Sequence, residues 1–300
     1  IERMTRIAKQ SGGEQVHDLA VFFQPLETLV ADFRKSALEY VAKALHLRDT
    51  PLLDETVASL KVDGVDMSNI TPNGAVVPKS EYALEYNKVV RDWANIVKSM
   101  SPRVDRLIEM FRFTPNIRIK FGSEIDKNVG RPLNTSIVHS DGWVEGPWGL
   151  NCFVPIAGDC ERNTLKWWET SQFDDKFLES SDSYEKMQWV VENYRPVSNL
   201  KVPRGVVSIT DYALLHNSDR TSDCGTRISL DTTLVVGAHR PHIRTEEYCA
   251  FIPEIGNTHF LRVSRSEKSQ FEENRSAFQH YTQGSVSLVE LSSIKERVNG

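Results

Sequence analysis

From Asn116 to Val236 the sequence leaves helical periodicity for short β-branched and aromatic runs separated by turn residues, and this texture limits the possible folds most. The runs are Asn116–Phe121, Thr135–His139, Trp148–Ile156, Thr164–Glu169, Gly205–Thr210, Ala213–His216 and Thr226–Val236. Seven short strands without long helices between them predict an antiparallel sandwich or barrel rather than a Rossmann sheet. The segment 174–193 interrupts them with charged and aromatic residues and reads as a helical or irregular insertion. After Gly237 the pattern weakens into a polar tail.

The first third reads differently. Between Glu14 and Leu47, apolar residues such as Val16, Leu19, Phe22, Phe23, Leu26, Val30, Phe33, Val41 and Leu45 recur at steps of three and four, predicting helix with a break at Pro25. Residues 49–79 are rich in turn formers and predict loops around one short helix. A second helical stretch is expected from Ser80 to Met110, with a boundary at Ser101-Pro102. No Gly/Ser or Pro-rich linker separates these parts, so one integrated domain is expected: a helical supporting layer over 1–113, a β-core over 114–237 and an extension over 238–300.

Composition removes several function classes. The 36 Lys and Arg against 41 Asp and Glu give a net charge of −5, without the basic surplus of a nucleic-acid binder. No run of 18 or more apolar residues predicts a membrane span, and Ile1-Glu2-Arg3-Met4 lacks a secretory-signal pattern. The 4 cysteines, at 152, 160, 224 and 249, contain no Cys-x-x-Cys pair; they read as reduced thiols of a cytoplasmic protein. The oligomeric state is not legible.

The sharpest local feature is Val138-His139-Ser140-Asp141-Gly142, a histidine at a strand end with a carboxylate two residues on, directed to the same side while the chain stays extended. Such a pair fits one divalent metal, and equally a strand-end hydrogen bond without metal. With 8 His and 41 acidic residues in 300, one such triplet is expected by chance. Ala213–His216 supplies a second strand ending in histidine, and the following strand places Arg227, Ser229 and Asp231 on one face and Ile228 and Leu230 on the other. An arginine inside a barrel keeps its charge and demands an anion; a dicarboxylate held by Arg227 and Ser229 would meet that demand. Two histidines and one carboxylate are also the facial triad of non-haem iron oxygenases.

The order His139-x-Asp141, His216, Arg227-x-Ser229 resembles the Fe(II)/2-oxoglutarate-dependent dioxygenases, in particular their phytanoyl-CoA dioxygenase-like branch with its biosynthetic tailoring members. The segments Gly149–Ile156, Asn163–Trp168 and Pro203–Ile209 are similar to strands around that family's site, and the resemblance covers roughly residues 115–236. It implies a mainly β fold with N-terminal helices around a double-stranded β-helix, a jelly-roll or cupin-like core. It implies Fe(II) held by His139, Asp141 and His216, and 2-oxoglutarate held by Arg227 and Ser229, with Asn151 a further cofactor contact. With O2 as co-substrate, the implied reaction is oxidation, foremost hydroxylation, of an unactivated C–H bond in a small metabolite, releasing succinate and CO2. Desaturation, epimerisation and ring closure are variants of it. Halogenases of the superfamily replace the metal carboxylate with a small residue; Asp141 argues against that outcome.

Trp143, Trp148, Trp167 and Trp168 cluster in sequence around this site and fit either a flat substrate wall or plain core. Arg118 fits either an anionic substrate group or a solvated strand face, as does Lys120. His239 and His242 read as surface residues. Two other classes remain open: a cupin-type metal enzyme without 2-oxoglutarate, and a non-catalytic jelly roll that binds a sugar or lipid. The small-molecule substrate stays unranked among sugars, amino acids, natural products and isoprenoid or fatty chains.

Overall fold

The computed structural model describes residues 2–11, 13–47, 52–104, 108–112, 115–122, 133–145, 149–236, 259–261, 271–273 and 288–290. In chain order its elements are α1 (Glu2–Ser11), β1 (Glu14–His17), β2 (Ala20–Phe23), α2 (Glu27–Ala44), α3 (Asp54–Ser59), α4 (Ala83–Val104), β3 (Ile108–Arg112) and β4 (Asn116–Lys120). There follow α5 (Gly142–Glu145), β5 (Gly149–Gly158), β6 (Asn163–Glu169), α6 (Gln188–Val191), β7 (Arg195–Pro196), β8 (Val207–Asp211), β9 (His216–Arg220) and β10 (Arg227–Val236). The short strands β11 (His259–Leu261), β12 (Phe271–Glu273) and β13 (Leu288–Glu290) come last. Among the described residues no helix is long and apolar enough to cross a membrane.

Two antiparallel sheets make the core. The larger runs β1-β2-β8-β5-β10-β3-β13, and the smaller β7-β6-β9. The long strand β10 is the spine of the larger sheet. It pairs with β5 along one edge and on its other edge with β4 over Arg227–Asp231, then with β3 from Leu234 on. The two sheets and their antiparallel pairing agree with the expected jelly roll.

Alternation along β10 divides its side chains between two environments. Ile228, Leu230 and Leu234 are buried in a cluster with Ile117 and Ile119 of β4, Val154 and Ile156 of β5, and Phe33, Tyr40, Val89 and Trp93 of the helices. The helices present matching stripes: Phe33, Ser36, Ala37, Tyr40, Val41 and Ala44 of α2 fall at steps of three and four. Ser36 hydrogen-bonds Asp92 of α4, and the Tyr40 ring lies 5.7 Å from Tyr82 and 5.2 Å from Tyr86. Arg227, Ser229 and Asp231 face the other way, into a pocket between the sheets. At the far end of β5 a glycine is required: Gly158 has φ +84°, and a Cβ there would meet the Thr226 carbonyl at 2.2 Å.

Several local expectations give way to tertiary pairing. Residues 14–23 form a hairpin, not helix, because β2 finds a partner in β8, with Val21 opposite Ile209 and Phe23 opposite Val207. The helix beginning at Ala83 runs through Pro102 to Val104, and Ile108–Met110, read as its end, belong to β3. Of Thr135–His139 only His139 pairs, since the Asn134 side chain turns the chain by accepting from Ser136 N. Likewise 213–215 form a turn, where Asp211 Oδ1 accepts from Ala213 N, so His216 begins β9 instead of ending a strand. The polar tail contributes β13, which pairs with β3; His239, His242 and Cys249 lie outside the described residues. The insertion is irregular, with 3-10 turns at Asp175–Leu178 and Glu185–Met187 leading into α6. The thiols of Cys152, Cys160 and Cys224 are buried and free.

The two faces of β10 make a direct test. Leu230→Ala should cost about 2–5 kcal/mol of stability by cavity formation, read as a lower urea midpoint, while metal binding on the opposite face of the strand persists.

Candidate metal centre and its pocket

His139, Asp141 and His216 converge, with one ligand atom from each lying within 4.8 Å of the others. They come from two turns of the same design. Asn134 and Asp211 each turn the chain by a side-chain oxygen that accepts a backbone N–H two residues on, and each turn delivers a histidine five positions after it. The histidines then pair with each other: His139 N donates to His216 O at 2.9 Å and His216 N to His139 O at 2.8 Å. This bridge sets the two imidazole centroids 4.4 Å apart.

The ring nitrogens are assigned by their neighbours. His139 Nδ1 lies 2.8 Å from the Ile137 carbonyl and His216 Nδ1 lies 3.0 Å from the Leu214 carbonyl. A carbonyl accepts only, so both Nδ1 atoms carry the proton and both Nε2 lone pairs are left for a cation. Asp141 Oδ2 is 3.7 Å from His216 Nε2 and accepts from Asn151 Nδ2 at 2.6 Å. The Asp141 turn is anchored through Ser140, whose hydroxyl donates to the Tyr212 carbonyl at 2.8 Å, and Gly142 N donates to that same oxygen.

Arg118, Lys120, Asn151, Phe153, Arg227, Ser229 and Asp231 of the larger sheet line one wall of the pocket above the triad. Leu165, His216 and Ser218 of the smaller sheet face them. Arg227 is 2% exposed. Its Nη1 donates to the Asn163 carbonyl at 2.9 Å and its guanidinium lies over the Phe153 ring at 5.0 Å, yet its buried Nε–H has no partner among the described residues. No carboxylate pairs with it among the described residues. Burial pushes it down to about 10, so it stays cationic at neutral pH.

Lys120 lies opposite Arg227 on β4 and donates to Thr135 Oγ1 at 2.9 Å. Burial, and then the cations Arg118, Arg227 and Arg220, drive its ammonium well below the ordinary lysine range. Arg118 pairs with Asp231 at 2.7 Å and donates to the Asn73 carbonyl at 3.2 Å.

The structure therefore gathers His139, Asp141, His216, Arg227, Ser229, Asn151 and Arg118 around one pocket. Asn151 reaches the site through Asp141, to which its amide donates. Of the tryptophans, Trp143 is buried with Phe177 and Tyr184 and donates Nε1–H to Phe177 O, and Trp167 packs with Phe153, Val202 and Leu214. Trp168 donates to Asn217, and Trp148 lies outside the described residues. Sequence reasoning missed Asp231 as the partner of Arg118. The signal was present, since Asp231 falls in phase with Arg227 and Ser229 on the strand.

Burial holds the His139 imidazole well below the usual histidine value, helped by neighbouring His216, so at neutral pH it is a free base ready to ligate. Burial raises the Asp141 carboxyl, opposed by His216. A raised carboxyl must shed its proton to bind metal, so affinity should fall on acidification beginning above the pH at which a surface aspartate protonates. Calorimetric titration with a divalent metal at stepped pH checks this, with proton release on binding in mild acid as the expected sign.

No family model matches the chain, and no curated protein matches it. Solved structures do. AviO1 from Streptomyces viridochromogenes Tue57 is 15% identical with TM-score 0.44, covering 80% of this chain and 97% of its own. The epimerase SnoN in complex with Fe3+, alpha ketoglutarate and nogalamycin RO is 12% identical with TM-score 0.42, covering 96% and 97%. An N-substituted L-amino acid dioxygenase in complex with alpha-KG, from Burkholderia ambifaria AMMD, is 13% identical with TM-score 0.39, covering 77% and 86%. The solved structures similar to this chain thus include non-haem alpha-ketoglutarate-dependent enzymes, among them enzymes of natural-product biosynthesis.

Proposed function

We propose that this protein is a non-haem Fe(II)- and 2-oxoglutarate-dependent oxygenase that oxidises a C–H bond of a small polar metabolite. The observation that carries the reading is Arg227, a buried guanidinium with an unpartnered Nε–H, in the same pocket as a two-histidine, one-carboxylate cluster. A metal site alone accounts for the triad. Only an anion arriving in the pocket accounts for an arginine taken out of water without a carboxylate to face.

In this reading His139, Asp141 and His216 would hold the iron through the two imidazole Nε2 atoms and a carboxylate oxygen. Arg227 and Ser229 receive the far carboxylate of 2-oxoglutarate, the guanidinium by charge-assisted hydrogen bonds and the hydroxyl by one more. Iron and 2-oxoglutarate together with O2 supply the power to break an unactivated C–H bond, with succinate and CO2 as by-products. The protein's part is placement. Asn151 keeps the Asp141 carboxylate turned toward the histidines, and the buried Phe153 and half-buried Leu165 limit water around the reacting carbon. Hydroxylation is the favoured outcome, because Asp141 fills the ligand position that halogenation requires empty.

The pocket lining ranks the substrates. Beside the triad stand the Arg118–Asp231 pair, Asn151, Thr135 and Ser218, whereas Trp143 and Trp167 are spent on core packing. These groups already pair in part with one another, and a polar occupant takes up the remaining donor and acceptor capacity that an isoprenoid or fatty chain would leave unused. A sugar, an amino acid or a similarly polar intermediate satisfies them.

Anaerobic titration with Fe(II) and then 2-oxoglutarate tests the class. The expected result is a weak visible charge-transfer band, absent in His216→Ala and needing on the order of 10²-fold more 2-oxoglutarate in Arg227→Met. Metal binding with no band at any 2-oxoglutarate concentration would remove the co-substrate and promote a cupin-type metal enzyme. Succinate release in air tests the substrate class: polar sugars or amino acids should raise it above the uncoupled rate, and fatty acyl compounds should not.

A further inference from the structure

We infer that Tyr184, in the insertion between β6 and α6, is the positioning residue for the first metal-binding histidine, an inference that rests on the metal reading above. The two histidines are supported unequally. His216 opens β9 and is held in register against Trp167 of β6, inside a continuous sheet. His139 belongs to no strand; among the described residues its backbone hydrogen bonds are those of the isolated bridge to His216. The hydrogen bond from Nδ1 to Ile137 fixes one direction of its ring and leaves the tilt about that axis free.

The insertion supplies what the sheet does not. The Tyr184 ring lies stacked on the His139 imidazole, centroids 4.3 Å apart and planes at 27°, and is 6% exposed. Tyr184 is held in turn. Gln188 Nε2 donates both to the Tyr184 carbonyl at 2.9 Å and to the Val138 carbonyl at 2.8 Å, tying the insertion to the residue before the ligand. On the other side Ser181 N donates to the Trp143 carbonyl at 2.7 Å, just past Asp141. The segment therefore grips the metal-binding turn at both ends with the tyrosine face between.

A stacked aromatic face does two things for a ligating imidazole. It restricts the ring to the plane in which Nε2 meets the metal, and its negative face favours the positive charge the imidazole gains on coordination. Groups that orient a metal ligand in this manner are worth about 10- to 100-fold in metal affinity. No base, acid or substrate contact is assigned to Tyr184.

Co(II) is the probe, because its visible ligand-field bands report ligand geometry without turnover. Dissociation constants, band positions and metal-free thermal midpoints would be compared for the wild type, Tyr184→Phe, Tyr184→Leu and Gln188→Leu. The expected result is near wild-type behaviour for Tyr184→Phe, which keeps the ring. Tyr184→Leu, which keeps an apolar side chain, should bind Co(II) about 10- to 100-fold more weakly with shifted bands. Should Tyr184→Leu fail to fold, Gln188→Leu carries the test, with weakened binding and shifted bands expected. Folded Tyr184→Leu or Gln188→Leu protein with wild-type affinity and bands would overturn the inference, and so would Tyr184→Phe behaving like Tyr184→Leu. Wild-type protein that binds no Co(II) would overturn the metal reading itself, and this inference with it, so the two failures are distinguishable.

Discussion

The pair of backbone hydrogen bonds between His139 and His216 is the constraint on which the site hangs. Two residues far apart in the chain are brought face to face by the most geometrically demanding interaction a polypeptide has. Once that bridge forms, the imidazole spacing is settled by covalent geometry and by the carbonyls of Ile137 and Leu214. The arrangement needs no strand around His139. It needs two turns that aim two short stretches at each other, and Asn134 and Asp211 provide them. The smaller sheet is thereby extended to the candidate metal site.

The larger sheet bears a different load. Its outward face is apolar and is stabilised against water by α2 and α4; its inward face carries charge. The strand β10 can hold an arginine at 2% exposure because its neighbours on the same strand, Ile228 and Leu230, are anchored in the opposite direction. Apolar burial of that kind contributes about 1.5–3 kcal/mol per large side chain, enough to offset part of the desolvation cost of the cation. Charge in the pocket is thus sustained by the helices behind the sheet.

Most of this arrangement is legible in the sequence where a period or a spacing encodes it. The alternation Arg227, Ile228, Ser229, Leu230, Asp231 reads directly as two faces, and the structure places them so. His139-x-Asp141 and His216 read as ligands once the second histidine is set beside the first. The failures have different causes: local side-chain turns at Asn134 and Asp211 cut two expected strands short, and long-range pairing overrides the helical period at the N-terminus. Val16, Leu19, Phe22 and Phe23 suit a helix as well as a hairpin, and only β8 decides between them. Trp143 and Trp167 follow the plain-core alternative: they lie beside the ligand residues but pack into the clusters behind them. Tyr184 carries no local signal at all; its proximity to His139 exists only after the insertion has folded back.

The two walls of the pocket differ in what determines them. On the metal side, geometry comes from main-chain bonds and from an insertion clamped across a turn, so altering one residue there disturbs several ligands together. On the side of β4 and β10, Arg118 and Asp231 are side chains projecting from strands whose pairing is indifferent to their identity. Under the proposed function, exchanging them would change which molecule fits while leaving the metal-binding half intact. If the proposed function holds, specificity on this plan could change by few substitutions without altering the metal-binding half.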